Sequence, residues 1–258
     1  MTRHSHRGLI ALGLAVCLSL FGDLTLYAVL VTQLETTGLA LGAVGIMLGI
    51  NRLIRIPGNL LGGLLLDRYG RRRLFILLIQ FAGEGITLST VTLLLQQRFG
   101  HSVILLGLTL GVASAGGLLL GVRSLLAGAV GPLIGHVSDV AAKRWPLIVA
   151  GLGLAVLGFG LLAWAISLWQ IVLGIVLGAA GAGTILALLS ALIGDLVPPE
   201  RHGLVMGGYA TAGDIGSTAG PFLAFALLSL VELRWVYLLC AMLLLLGLGL
   251  AWRAQEAL

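Results

Sequence analysis

A chain of 258 residues with 59% hydrophobic and only 10% charged side chains cannot clothe a water-facing surface, which in soluble domains carries about 25% charge. Its mean hydropathy of +1.12 makes lipid the solvent, and long unbroken apolar runs make the class an all-α polytopic membrane protein. Fifteen basic and ten acidic residues give a net charge of +5; they lie in short connections between apolar runs, which argues for orientation in a bilayer and against nucleic-acid binding.

In chain order, Met1-Thr2-Arg3-His4-Ser5-His6-Arg7 is basic and precedes an apolar run that continues without an A-x-A site. It reads as a retained first span rather than a signal peptide. A hydrocarbon core of about 30 Å takes about 20 apolar residues per helix. On that measure about eight spans are predicted, near 8–32, 39–66, 74–96, 103–137, 146–167, 170–194, 204–230 and 234–252. The run 103–137 is long for one crossing and is read as one tilted or projecting helix. Two crossings there would put Lys143 and Arg144 on the wrong side. Pro57 should kink the second span. Glycines recur at four-residue spacing in Gly45/Gly49, Gly58/Gly62, Gly131/Gly135, Gly174/Gly178 and Gly216/Gly220, a spacing that lets helices approach closely in lipid.

With the N-terminus inside, the cytoplasmic segments hold Arg3, Arg7, Arg68, Arg71, Arg72, Arg73, Lys143, Arg144, Arg201 and Arg253. The outer loops hold only Arg98 and Arg234. This asymmetry places both termini on the cytoplasmic face of the cytoplasmic (inner) membrane. Trp145, Trp164, Trp169, Trp235 and Trp252 fall at span ends, as interfacial tryptophans do. Cys17 and Cys240 sit inside apolar runs and read as small buried residues. His101 and His202 have no ligand-type neighbour at helical spacing and His136 has only Asp139, so neither a metal nor a cofactor is expected.

An ionisable residue within a span is a functional candidate by default. The acids are Asp23, Glu84 and Asp214; the bases are Arg52, Arg55 and Arg123. Arg52 and Arg55 share a helix face, suited to an anionic substrate group or to holding Asp23 ionised. Burial raises a carboxyl's pKa and a nearby arginine lowers it, so Asp23 or Glu84 can load and release a proton. The alternative for both is a buried ion pair that fixes packing. Asp214, among glycines and small residues, reads as packing or cavity lining.

The stretch Gly62-Gly63-Leu64-Leu65-Leu66-Asp67-Arg68-Tyr69-Gly70-Arg71-Arg72-Arg73 resembles the signature loop between the second and third helices of the major facilitator superfamily. Asp195-Leu196-Val197-Pro198-Pro199-Glu200-Arg201-His202-Gly203 resembles the family's loop between helices ten and eleven. Gly216-Ser217-Thr218-Ala219-Gly220-Pro221 is similar to its G-x-x-x-G-P signature. The resemblance implies a cytoplasmic latch of Gly63, Asp67, Arg68, Gly70 and Arg71 against the eleventh helix. A second copy would be Gly135, Asp139, Lys143 and Arg144, with Ala142 where a glycine would match Gly70.

The chain also repeats. Phe21-Gly22-Asp23 corresponds to Phe81-Ala82-Gly83-Glu84, and the stretch ending Asp67 to the one ending Asp139. Spans 1–2 and 3–4 thus read as parallel copies of one helix pair. In the family, four helices separate such copies; here they abut near Arg73-Leu74. The expected organisation is a helix pair with its signature loop over 1–73 and a six-helix bundle over 74–258. The family's helices 3 to 6 are missing from this arrangement, so the N-terminal half is incomplete.

The resemblance implies a secondary transporter of a small solute across the lipid bilayer, with proton-coupled efflux one form it can take. The alternative is a remnant that inserts without transporting alone, or acts only as a homo-oligomer. An intramembrane enzyme built on Ser114 lacks a histidine on an apposed helix, and no enzymatic activity is expected.

Overall fold

The computed structural model describes Val29 and residues 40–53, 70–105, 107–141 and 144–256. Helix α1 is Leu41–Leu53. An unbroken helical run follows, made of α2 (Gly70–Gln80), a π-helical segment (Phe81–Thr87) and α3 (Leu88–Phe99). After it come strands β1 (Ser102–Leu105) and β2 (Leu108–Gly111), then α4 (Val112–Ala141), α5 (Arg144–Ala163) and α6 (Leu168–Leu196). A 3-10 turn at Pro199–Arg201 leads into α7 (His202–Leu228), and α8 (Leu233–Glu256) closes the described chain. Among the described residues, five stretches are long and apolar enough to cross a membrane: Leu74–Phe99, Val112–Ala141, Arg144–Ala163, Leu168–Leu196 and Leu233–Arg253. Helix α7, with 27 residues, is as long, but Gly, Ala, Ser, Thr and Asp214 dilute its apolar content.

One boundary differs from expectation. The run 103–137 holds a single helix, but it is not helical throughout: residues 102–111 form an antiparallel hairpin and the helix starts at Val112. The cause is local. Gly100, at φ +75°, ends α3 by donating its amide to Gln96 O at 2.9 Å. Gly107, at φ +82°, then allows the tight reversal between Leu105 and Leu108, as short hairpins require. The remaining 30 residues of α4 are about 45 Å long, so this helix still exceeds the hydrocarbon thickness.

The central run is the axis of the bundle: 72% of its best membrane window is buried, against 17% for α4. Helix α6 lies between α4 and α5, α5 packs its other side on α8, and α7 packs between α1 and the central run. Glycine pairs set the close crossings. A Cβ on Gly85 would lie 2.7 Å from the Gly220 Cα, and one on Gly216 would collide with the Leu77 carbonyl. Gly45 and Gly49 of α1 receive Phe225 and Phe222 of α7. Gly58 and Gly62 lie outside the described residues, and a Cβ on Gly135 would meet nothing within 4 Å.

Deep in the bundle the Thr90 and Tyr237 hydroxyls are 2.9 Å apart, linking the central run to α8. Thr90 also donates to Ile86 O at 2.7 Å. Tyr237→Phe therefore leaves Thr90 partnered and should lower stability by about 1 kcal/mol or less, read as a small shift in thermal unfolding in detergent. Trp164, Trp169, Trp235 and Trp252 are exposed at helix ends. Trp145 instead turns inward, edge-on to Phe75 with centroids 6.5 Å apart.

Candidate functional site

Glu84 lies near the middle of the central run, inside the π-helical segment. Gly83 and Gly85 flank it, so the backbone there carries little side-chain bulk and tolerates the wider winding. Hydroxyls occupy carbonyls around this segment: Thr87 Oγ1 donates to Ala82 O at 2.9 Å, five residues back, and Ser89 Oγ to Gly85 O at 2.7 Å. Such π-helical turns concentrate at functional sites.

The carboxylate meets Arg123 of α4. Arg123 Nη1 donates to Glu84 Oε1 at 2.8 Å. The arginine side chain is 4% exposed and that of the glutamate 27%, so the acid is the less enclosed partner. Gly83 makes room for the cation: a Cβ there would lie 2.8 Å from Arg123 Nη2. Beyond it, Arg123 borders a small void shared with Thr87, Phe159 and Gly178. Both partners stood out as intramembrane charges in the sequence, but nothing in the sequence joined them. The flanking glycines were the available signal for the acid's special backbone.

A second charged cluster ties helix ends together. Arg144, the first residue of α5, reaches Asp139 Oδ1 of α4 at 3.2 Å through Nη2. Its Nη1 lies 2.8 Å from Asp195 Oδ2 of α6, an ion pair too oblique for a hydrogen bond. Asp139 and Asp195 are exposed, so each contact contributes about 0–1 kcal/mol. Arg144→Gln should barely lower thermal stability yet raise thiol labelling of a cysteine placed at Leu192, one turn from Asp195. Unchanged labelling would deny the cluster any role in closing that end.

The remaining candidates are scattered. Gly70 and Arg71 begin α2, and Arg52 lies at the end of α1. Asp214 is half-buried in α7, shortly before Gly216 and Gly220. Gly135 is in the last part of α4. Asp23, Arg55, Gly63, Asp67, Arg68 and Lys143 lie outside the described residues, as do Pro57, Ala142 and the first copy's motifs at Phe21-Gly22-Asp23 and before Asp67. Among the described residues no group of three His, Cys, Asp or Glu side chains could hold a metal ion.

Residues 74–257 match the sequence profile of the Major Facilitator Superfamily. The chain belongs to that superfamily. Its resemblance to individual major facilitator transporters is partial. It is 32% identical over 136 residues to the MFS efflux transporter aclA of Aspergillus oryzae, covering 52% of this chain and 24% of that protein. The MFS-type efflux transporter ffsH of Aspergillus flavipes is 33% identical over 106 residues, 41% of this chain and 19% of that one. The matched region is thus at most 24% of these two relatives' length.

Among crystal structures, the human organic anion transporter MFSD10 (TETRAN) superposes with a TM-score of 0.57 and 23% identity, over 70% of this chain and 40% of that one. A POT family transporter in complex with a thioalcohol-conjugated peptide gives 0.57 at 15% identity, over 100% of this chain and 55% of that one. At those identities the fold is what is shared. This chain is therefore a multi-pass, all-α major facilitator protein that superposes along its whole length on about half of that solved transporter.

Proposed function

We propose that this chain acts as a proton-coupled secondary transporter that exports a small solute across the cytoplasmic membrane. The observation that supports it most is the Glu84–Arg123 pair, a charged contact held mid-span on a π-helical turn. Opposite charges within a dry bundle are retained at a cost in desolvation, and intramembrane ionisable residues mark proton or substrate paths. While Arg123 faces it, the guanidinium donates to the Glu84 carboxylate. When a conformational change or an anionic solute takes the guanidinium away, the carboxylate loses that contact in low dielectric and a proton takes the guanidinium's place. Proton and arginine thus compete for one acid, which is how a proton gradient drives alternating states. The efflux direction follows the printed names of the fungal relatives.

In this reading both termini are cytoplasmic, 1–73 supplies a helix pair with its latch, and 74–258 is the six-helix bundle. Asp23, Arg52, Arg55 and Asp214 complete the set of solute- and proton-facing groups. The Arg144 cluster is the second-copy latch, with Asp195 added to Asp139. Reconstitution into liposomes with an imposed pH gradient tests it: solute movement that dissipates the gradient supports the reading.

A second reading is favoured by α4, whose outward residues Leu125, Leu133 and Val140 are exposed apolar side chains. In it the chain inserts but moves solute only within an oligomer or a longer assembly. Folded protein that carries no solute as a monomer, but regains flux when cross-linked as a dimer, supports this alternative.

A further inference from the structure

A cavity of about 650 Å³ opens where α3, α5 and α7 finish, at the end of the bundle opposite the Arg144 cluster. Leu94 and Leu228 contribute to an apolar floor, and Gln97, Arg98, Glu232 and Arg234 supply the polar rim. Arg98 and Arg234 are the only arginines or lysines at this end among the described residues, and both line the one cavity. Arg234 is partly engaged: its Nε lies 3.0 Å from Glu232 Oε2, and its guanidinium sits over the Trp235 ring, 5.4 Å from the centroid. Arg98 has no ion pair or side-chain hydrogen bond among the described residues. Nor does the helix need it as a cap, because Gly100 already closes α3. Two cations against one anion leave the rim with a net charge of +1.

We propose that this cavity binds the phosphate headgroup of an anionic phospholipid. Depth supports a lipid. Trp164 and Trp235 are exposed beside it and Leu230, on its wall, is 81% exposed, the composition of a membrane–water interface. Chemistry supports a phosphate. Guanidinium groups recognise it through paired charge-assisted hydrogen bonds, and Arg98 has all its donors to offer. Size and floor favour an esterified phosphate over a free one. Inorganic phosphate would leave most of the space and the leucine floor unfilled, whereas a glycerol backbone and the first acyl carbons would cover both.

The site stands apart from Glu84 and does not depend on the transport reading. The test is native mass spectrometry of the full chain released from nanodiscs of equimolar phosphatidylglycerol and phosphatidylcholine. The expected result is preferential retention of phosphatidylglycerol. Arg98→Gln should reduce that retention about fivefold, the effect of one arginine at an anionic lipid surface. Arg98→Lys, which keeps the charge, should preserve most of it. Arg98 is exposed on the last turn of α3, so these variants leave the core intact, and equal thermal unfolding checks this. Equal retention of the two lipids would overturn the proposal. So would phosphatidylglycerol retention unchanged in both Arg98→Gln and Arg98→Gln/Arg234→Gln. Inorganic phosphate displacing phosphatidylglycerol at equal concentration would make this a free-anion site and overturn the lipid assignment. Loss of flux with lipid retention intact would bear on the transport reading alone.

Discussion

Glu84→Gln is expected to abolish proton-driven flux in proteoliposomes while the protein still folds and inserts. Glutamine keeps the size of the side chain and an oxygen that accepts from Arg123 Nη1, but it cannot gain or lose charge. Arg123 then stays paired to a neutral group whatever the pH gradient, and the competition that couples proton to solute disappears. Stability should separate the roles further. Arg123→Ala leaves a carboxylate in the bundle without its cation, a change that costs about 3–5 kcal/mol for buried pairs. Glu84→Gln/Arg123→Gln removes both charges and should recover much of that loss without recovering flux. Unchanged gradient-driven flux in Glu84→Gln would remove Glu84 from the coupling mechanism, leaving a pair that only holds α4 to the central run.

Gly216→Ala is expected to unfold the protein at a markedly lower temperature than the parent. Its new methyl group would collide with the Leu77 carbonyl, and the partner atom is backbone, which cannot swing away. One turn on, Gly220 meets Gly85, whose own Cβ would lie 2.7 Å from the Gly220 Cα. Adding atoms to a filled contact costs about 1–3 kcal/mol. In lipid there is little hydrophobic force to hold parted helices together, so the upper part of that range applies. Gly121→Ala is the matched control: nothing lies within 4 Å of the added carbon, and alanine favours the helix by about 1 kcal/mol over glycine. Parent-like melting of Gly216→Ala would mean that α7 and the central run are not in backbone contact.

Much of the architecture was legible because hydrocarbon leaves so few choices. Apolar runs starting near Leu74, Trp145, Gln170 and Arg234 can only be spans, and α5, α6 and α8 begin within about two residues of the predicted positions. The hairpin was not legible, since Ser102-Val103-Ile104-Leu105 and Leu108-Thr109-Leu110-Gly111 are as apolar as a helix and only Gly100 and Gly107 mark the reversal. The π-helical winding at Phe81–Thr87 likewise leaves no trace in hydropathy. For the charges, the sequence offered residue types and depth but no partners. Arg52 and Arg55 stood nearest in the reading to a buried acid, whereas the described pair joins Glu84 to an arginine on the next span. Arg144 and Asp195 belonged to separate loops in the sequence, and only the meeting of α5 and α6 at one end brings them together.

The mid-span pair also bears on how the protein enters its membrane. Glu84 precedes Arg123 by 39 residues, so a growing chain delivers the acid to the lipid first. A lone charge at the centre of a helix opposes insertion by about 2.5–3.5 kcal/mol. The cation that cancels it arrives with the next helix to emerge from the ribosome, after the small hairpin. Biogenesis of the two segments is thereby joined: the first is a reluctant guest in the bilayer until the second follows, and together they enter as a neutral unit.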